Sequence, residues 1–343
     1  MLRGMGLLDG LRVLDLSMWR PGPYATQLLG RLGADVVKVE PPGGEPMRAF
    51  RDHFDVLNRH KRSVELDLKS ADGLARCLEL ARDAEVFVEG FRPGVADRLG
   101  VGYARLREAA PALVYCSVSG YGAEGPLADV PGHDVNYRAY AGALARDATS
   151  AGAELAVADM AAATMAAFAV TAAVLKARET GVGERIDLGM ADVLADWVET
   201  SPDMSGADAP VPGYGVYPTK DGRTITLGVV SEDRLWAATC RALGLERHAD
   251  VPFLQRFERL EELDGAVADA VAGLTRDEAV ARLSAEGAPV APVLTRAEML
   301  AHEHFRARGI GDGPVRTANH AGPPPGRVPE LDEHRGEGWR LTK

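Results

Sequence analysis

Short apolar strands separated by single helices dominate the first half of this chain, and that alternation limits the fold more than any other feature. Strands are expected at Arg12–Leu16, Asp35–Val39, Glu85–Val88 and Leu113–Ser117, with helices at Tyr24–Leu32 and Ala71–Ala81 between them. One helix between two strands allows only a parallel crossover, so the expected class is α/β with a doubly wound parallel sheet. Further on, a helix from Met160 to about Arg178, a strand at Arg185–Leu188 and a helix at Met190–Thr200 complete the large domain, expected to cover residues 1–200. The stretch 201–215, rich in Pro, Gly and Asp, reads as a linker. A smaller α/β domain is expected at 216–305, with a strand at Arg223–Val230, helices at Ser231–Ala242, Glu261–Gly273 and Arg276–Ala285, and an edge strand at Pro289–Val293.

A chain of 343 residues, 46% hydrophobic and 26% charged, is long and apolar enough to bury a sizeable core. Its formal charge of -11 argues against nucleic acid as a partner, because phosphate-backbone affinity needs a broad basic face. Three widely spaced cysteines with no CxxC pair fit a reducing compartment, and a cytoplasmic location is expected. Met1–Gly10 lacks the apolar core of a secretory signal. The alanine-rich run Met160–Leu175 is shorter than the ~20 residues of a membrane span, so a buried helix and no membrane partner are expected.

Several motifs invite chemistry. The strand, helix, strand, acid pattern ending at Glu40 is shared with nicotinamide-cofactor sites, yet the turn Ser17–Pro23 lacks GxGxxG and carries prolines where N–H donors are needed. His302-Glu303-His304 has no third ligand at a recognisable spacing, so no metal is expected. The basic run Arg59-His60-Lys61-Arg62 can pair with phosphates or form a solvated face. His133 closes the glycine-rich loop Ser119–Gly132, and Asp159 stands at the start of the alanine-rich helix, where a carboxylate caps N–H groups or serves as base or nucleophile.

The segments Gly10–Leu16, Pro21-Gly22-Pro23, Leu32–Pro41, Lys61–Lys69, Glu89–Val95, Ser119–Gly122, Gly132–Tyr137 and Ala291–Leu294 together resemble the class III CoA-transferase family, and within it the α-methylacyl-CoA racemase branch. The resemblance implies a Rossmann-like large domain completed by residues 306–343, and an interlocked homodimer. It implies that an acyl-CoA substrate is held by Leu66, Asp67, Leu68 and Lys69, by Arg92, and by Gly132, Asp134 and Tyr137. Family racemases carry an arginine where this chain has Pro41, so Lys38 or the Arg59–Arg62 run is expected to supply that phosphate contact. The stretches between His133 and Asp159 and after Thr200 are shorter than in typical racemases.

In the family's transferases the aspartate matching Asp159 is a nucleophile that takes the acyl group as an anhydride and then carries CoA as a thioester. In its racemases the same aspartate and the histidine matching His133 exchange the α-proton from opposite faces, with the glutamate matching Glu232 supporting the histidine. The expected function is interconversion of (R)- and (S)-2-methylacyl-CoA by proton transfer, with no cofactor beyond the coenzyme A of the substrate. CoA transfer through Asp159 is the alternative.

Overall fold

The computed structural model describes residues 6–144, 155–200, 211–310, 313–320, 323–324 and 326–340. The chain divides into two compact units, Met1–Ser201 with Gly311–Lys343, and Pro202–Ile310.

Six parallel strands form the sheet of the larger unit: β1 (Arg12–Asp15), β2 (Asp35–Glu40), β3 (Lys61–Glu65), β4 (Val86–Glu89), β5 (Val114–Ser119) and β6 (Arg185–Gly189), in the order β3-β2-β1-β4-β5-β6. The period-2 geometry of a strand sends neighbouring side chains to opposite faces. Val13, Val36, Val86 and Val114 therefore enter one core, while Leu14, Val37, Phe87 and Tyr115 enter a second. Both faces are covered by helices, which is why these strands read as continuous apolar runs. The first core also receives Ala25 and Leu29 from the helix Pro21–Arg31 and six buried alanines from the helix Val157–Thr180. The second receives Cys77, Leu80 and Ala81 from the helix Ala71–Asp83.

The helix Val157–Thr180 corrects the expectation of a short, buried element. Its 24 residues are long and apolar enough to cross a membrane by length and composition, and only one face is buried. Phe168 and Leu175 on the other face are exposed.

Strand β3 ends at Glu65. Its partner β2 is followed by Pro41 and Pro42, which have no N–H to donate, so the ladder ends at the Glu40–Glu65 pair and Leu66–Lys69 leave the sheet. As the sheet's edge, β3 is covered by the C-terminal segment: the His334 N–H donates to the Ser63 carbonyl, and the Glu65 N–H donates to Asp332.

The smaller unit holds an antiparallel sheet, β7 (Tyr214–Pro218), β8 (Thr224–Gly228) and β9 (Val290–Pro292), packed on a core centred on Trp236, Leu263, Val267 and Leu283. Strand β7 begins inside the stretch 201–215 expected as a linker, and residues 201–210 of that stretch lie outside the described residues. The helix Glu303–Ala307 belongs to this unit, with His302 at its N-cap, and His304 is exposed.

Candidate active site

Strand order reverses direction between β1 and β4, since β2 and β3 follow on one side of β1 while β5 and β6 follow on the other side of β4. In an open parallel sheet the two loops leaving such a switch point diverge and open a crevice at the carboxyl ends of the strands. A cavity of about 490 Å³ lies there. Its walls come from the turn and helix start after β1 (Met18, Trp19, Pro21), the loop and short helix Val95–Leu99 after β4 (Phe91, Arg92, Arg98), the glycine-rich loop after β5 (Tyr121, Gly132, His133) and Asp159.

Of the residues expected from sequence, His133, Asp159, Arg92, Gly132 and Tyr137 line this one cavity. Leu66, Asp67, Leu68 and Lys69 line a second, of about 380 Å³, which shares Met18 and Phe91 with the first. The two cavities adjoin. Glu232 lies in the smaller unit, exposed, at the N-cap of the helix Asp233–Leu243, with its side chain accepting from the Val230 N–H at 3.3 Å.

Asp159 is the third residue of its helix, not the cap. That helix begins at Val157, and Ala156 before it provides no side-chain cap. The cap is supplied from a distance by Asp134, whose Oδ1 accepts from the N–H groups of Ala158 at 2.6 Å and Asp159 at 3.4 Å. Asp134 also faces Arg138 at 3.5 Å. It therefore ties the His133 loop to the Asp159 helix, a positioning role. Residues 145–154, between these two elements, lie outside the described residues.

Burial, and then the neighbouring charge of Asp134, push the Asp159 carboxyl up to about 6, while Arg20 and His133 oppose the rise. A carboxyl in that range can both accept and return a proton near neutrality. His133 is exposed at the head of the short helix Asp134–Tyr140, where its own N–H donates to Asn136 at 3.0 Å. Gly132 packs on Tyr137, whose hydroxyl donates to its carbonyl. A Cβ at Gly132 would stand 2.8 Å from the Tyr137 ring, so only glycine brings the loop this close.

Arg20 escaped the sequence reading. Its guanidinium Nε stands 3.8 Å from Asp159 Oδ2, held there by the turn Ser17–Arg20. Trp19 in that turn has φ +66°, a left-handed conformation that costs roughly 1 kcal/mol or more in a non-glycine residue. Buried ions pin it: Glu45 accepts from the Trp19 N–H at 3.0 Å, and Lys38 donates to the Ser17 carbonyl at 2.8 Å while facing Glu45 at 3.1 Å.

The expected phosphate role of Lys38 and the Arg59–Arg62 run is overturned for three of its members. Lys38 is wholly buried in the contacts just given. Lys61 donates to Asp15, Asn58 and the Pro23 carbonyl, each at 2.9 Å. Arg62 grips Asp35 through two bonds of 2.9 and 2.6 Å. Glu40, the acid of the nicotinamide-like pattern, is held by Arg48 at 2.6 and 2.7 Å and by Ser63 at 2.7 Å.

A Rossmann-like sheet with a switch-point cavity lined by a helix-borne carboxyl and a histidine-bearing loop defines the class of fold. The chain belongs to CoA-transferase family III, whose sequence profile matches residues 8–340. Among its relatives, a succinyl-CoA:mesaconate CoA-transferase of Haloarcula hispanica is 31% identical, with 97% of this chain and 96% of that protein covered. The human α-methylacyl-CoA racemase is 32% identical, covering 88% of this chain and 81% of the racemase. Among solved structures, a CAIB/BAIF family protein from Brucella suis superposes with a TM-score of 0.85 at 26% identity, covering 96% of this chain and 97% of that one. A protein of Mycobacterium tuberculosis gives 0.86 at 29% identity, with coverage of 97% and 99%. The family is enzymatic and acts on acyl-CoA; the named relatives include one racemase and are mostly CoA-transferases.

Proposed function

We propose that this protein interconverts the epimers of a 2-methylacyl-CoA by moving one proton at the thioester α-carbon, with Asp159 and His133 as the two acid/base groups. The observation that carries this reading is that both side chains line one switch-point cavity, with the carboxyl raised to about 6. One group removes the proton while the other returns it on the opposite face, and the enolate between them gains from nearby donors. Proton transfer of this kind needs neither a metal nor a redox cofactor.

Coenzyme A would run across Met18 and Phe91 from the adjoining cavity. There Leu66, Leu68, Val39 and Leu99 offer apolar walls to the adenine, and Lys69 offers a cation to a phosphate. Arg92, lining the first cavity, would meet the diphosphate. Glu232 would support His133 in an interlocked homodimer, a partnership in keeping with the exposed apolar residues Phe168 and Leu175. Three free, buried cysteines fit a cytoplasmic location.

Incubating a chiral 2-methylacyl-CoA in deuterated water should introduce deuterium at the α-carbon, and no incorporation across several chain lengths would refute the reading. The second reading, CoA transfer through Asp159, is favoured by the names of most relatives, among them mesaconate and oxalate CoA-transferases. Trapping an aspartyl-CoA adduct with hydroxylamine or borohydride would establish that reading instead.

A further inference from the structure

Buried carboxylates in the larger unit fall into two kinds. Asp15, Glu40 and Glu45 each face a lysine or an arginine, at 2.9, 2.6 and 3.1 Å respectively. Glu89 is different. It ends β4 at 5% exposure, yet no cation pairs with it among the described residues. Its partners are neutral: Oε2 accepts from the Phe91 N–H at 2.7 Å, and Oε1 accepts from the Ser117 hydroxyl at 2.6 Å and the Tyr115 hydroxyl at 3.4 Å. Burial pushes this carboxyl up, and the three donors offset only part of the rise. A buried carboxylate with no counter-ion weakens a fold unless its hydrogen bonds do something that an apolar side chain cannot.

What they do here is bend the chain. The Phe91 N–H lies two residues further along, so the carboxylate draws the backbone into a tight turn at Gly90 as it leaves β4. Ser117 stands directly across from Glu89 on β5, which anchors the other oxygen to the sheet. After Phe91, the residues Arg92-Pro93-Gly94-Val95 close a second turn, with Gly94 at φ +76° and the Val95 N–H donating to the Arg92 carbonyl at 3.1 Å. Proline second and a left-handed glycine third are what a type II turn requires. Arg92 therefore lies between two fixed turns. The later one is set by its own proline and glycine, the earlier one by Glu89.

The loop so fixed reaches every cavity at this end of the sheet. Phe91 lines the switch-point cavity, the Leu66–Lys69 cavity and a third of about 290 Å³, and Arg92 lines the first and the third. The Arg92 guanidinium makes no hydrogen bond or ion pair among the described residues, so it stays open to a ligand. With no side chain bonded to it, its aim follows from the course of its backbone.

We infer that Glu89 is a positioning residue for coenzyme A: anchored to Ser117 and Tyr115, its carboxylate fixes the turn at Gly90 and Phe91 so that Arg92 meets the diphosphate. This rests on the acyl-CoA reading above and adds to it a residue that acts through Arg92 and touches no substrate. A guanidinium fork engages phosphate oxygens through parallel bonds, so a small change in its direction forfeits one of them.

The test is a double-mutant cycle read by calorimetric titration of the full-length protein with S-butyl-CoA, an unreactive thioether whose binding is measured apart from turnover. Glu89→Gln keeps the side chain's size but turns an N–H group toward one of its donors, and it should weaken binding about 10-fold. In an Arg92→Ala background the same change should cost less than about twofold, because its route to the ligand is gone. Where Arg92→Ala binds too weakly to titrate, Arg92→Lys, which keeps the charge without the fork, takes its place. A folding defect would lower the stoichiometry and leave the dissociation constant alone. Binding by Glu89→Gln within twofold of the wild type, or a loss that persists undiminished beside the Arg92 substitution, would overturn the inference while leaving the acyl-CoA reading intact. Failure of the wild type to bind S-butyl-CoA would overturn the acyl-CoA reading and the inference together. Should Glu89→Gln not fold, Glu89→Asp, which draws the carboxylate back from the Phe91 N–H, completes the same cycle with the same expected outcome.

Discussion

Two groups of charged side chains lie side by side in the larger unit, and the fold treats them in opposite ways. Beneath the turn after β1, Asp15, Glu40, Glu45, Lys38 and Lys61 are almost wholly buried, and each meets at least one oppositely charged partner. Burial alone would push the Asp15 carboxyl up, yet Lys61 and Lys38, with hydrogen bonds from Ser17 and Thr26, hold it well below the usual range. Burial also brings the Lys61 ammonium down to about 8 in spite of Asp15. Above the same turn, Asp159 has one cation at 3.8 Å, His133 is exposed, and the Arg20 guanidinium is without a hydrogen bond among the described residues. The lesson is that density of charge does not mark a site. Incomplete pairing does, because a group already satisfied has nothing left to offer a substrate.

The sharpest way to break this contrast is to disturb the satisfied group. Lys61→Met strips Asp15 of its closest cation and leaves a buried carboxylate short of a partner, which should cost about 3–5 kcal/mol in urea unfolding. A loss below about 1 kcal/mol would mean that water reaches the cluster and that the contrast is false.

The open group should respond with the opposite sign. Because the folded Asp159 titrates near 6 and an unfolded one near 4, the folded chain binds more protons between those values. The ionised carboxylate therefore weakens the fold above about pH 6, and this penalty fades as pH falls through 6 toward 4. Asp159→Asn should remove it, stabilising the protein by about 1–3 kcal/mol at pH 8, with the gain gone near pH 4. Denaturation at the two pH values checks this. A variant that loses stability at pH 8 would show that Asp159 is a satisfied structural group after all.

A smaller effect is expected where the loop meets Tyr137. Gly132→Ala sets a methyl 2.8 Å from that ring and 3.1 Å from the Tyr121 hydroxyl, so the loop carrying His133 must shift. It should cost about 1–2 kcal/mol in stability while lowering turnover more than that cost explains. Unchanged turnover would detach the loop from the chemistry.

The parallel sheet was legible in the sequence because buried strands are written as apolar runs, and single helices between them permit one kind of crossover. The ends of strands were not, since β3 stops where its partner's Pro41 and Pro42 run out of donors, a limit imposed by a neighbour. Lys38 and Lys61 read as surface cations because nothing local announces that Asp15 and Glu45 will be buried beside them. Asp159 read as a cap because caps are ordinarily local, whereas the carboxylate that performs this duty, Asp134, lies 25 residues before it. His133 and Asp159 were legible through family resemblance, and their shared cavity only through the fold. Arg20 left no signal at all, since an arginine before Pro-Gly-Pro reads as an ordinary turn residue.

The central claim is that His133 and Asp159 serve opposite faces of one carbon. It is tested most directly by following α-deuterium incorporation into each separate epimer of a 2-methylacyl-CoA, with the wild type, His133→Ala and Asp159→Asn. The account predicts exchange from both epimers in the wild type. Each variant should lose inversion yet retain exchange from the one epimer whose proton faces its surviving base, with the two variants retaining opposite epimers. Exchange that His133→Ala leaves untouched in both epimers, or none in the wild type, would contradict it.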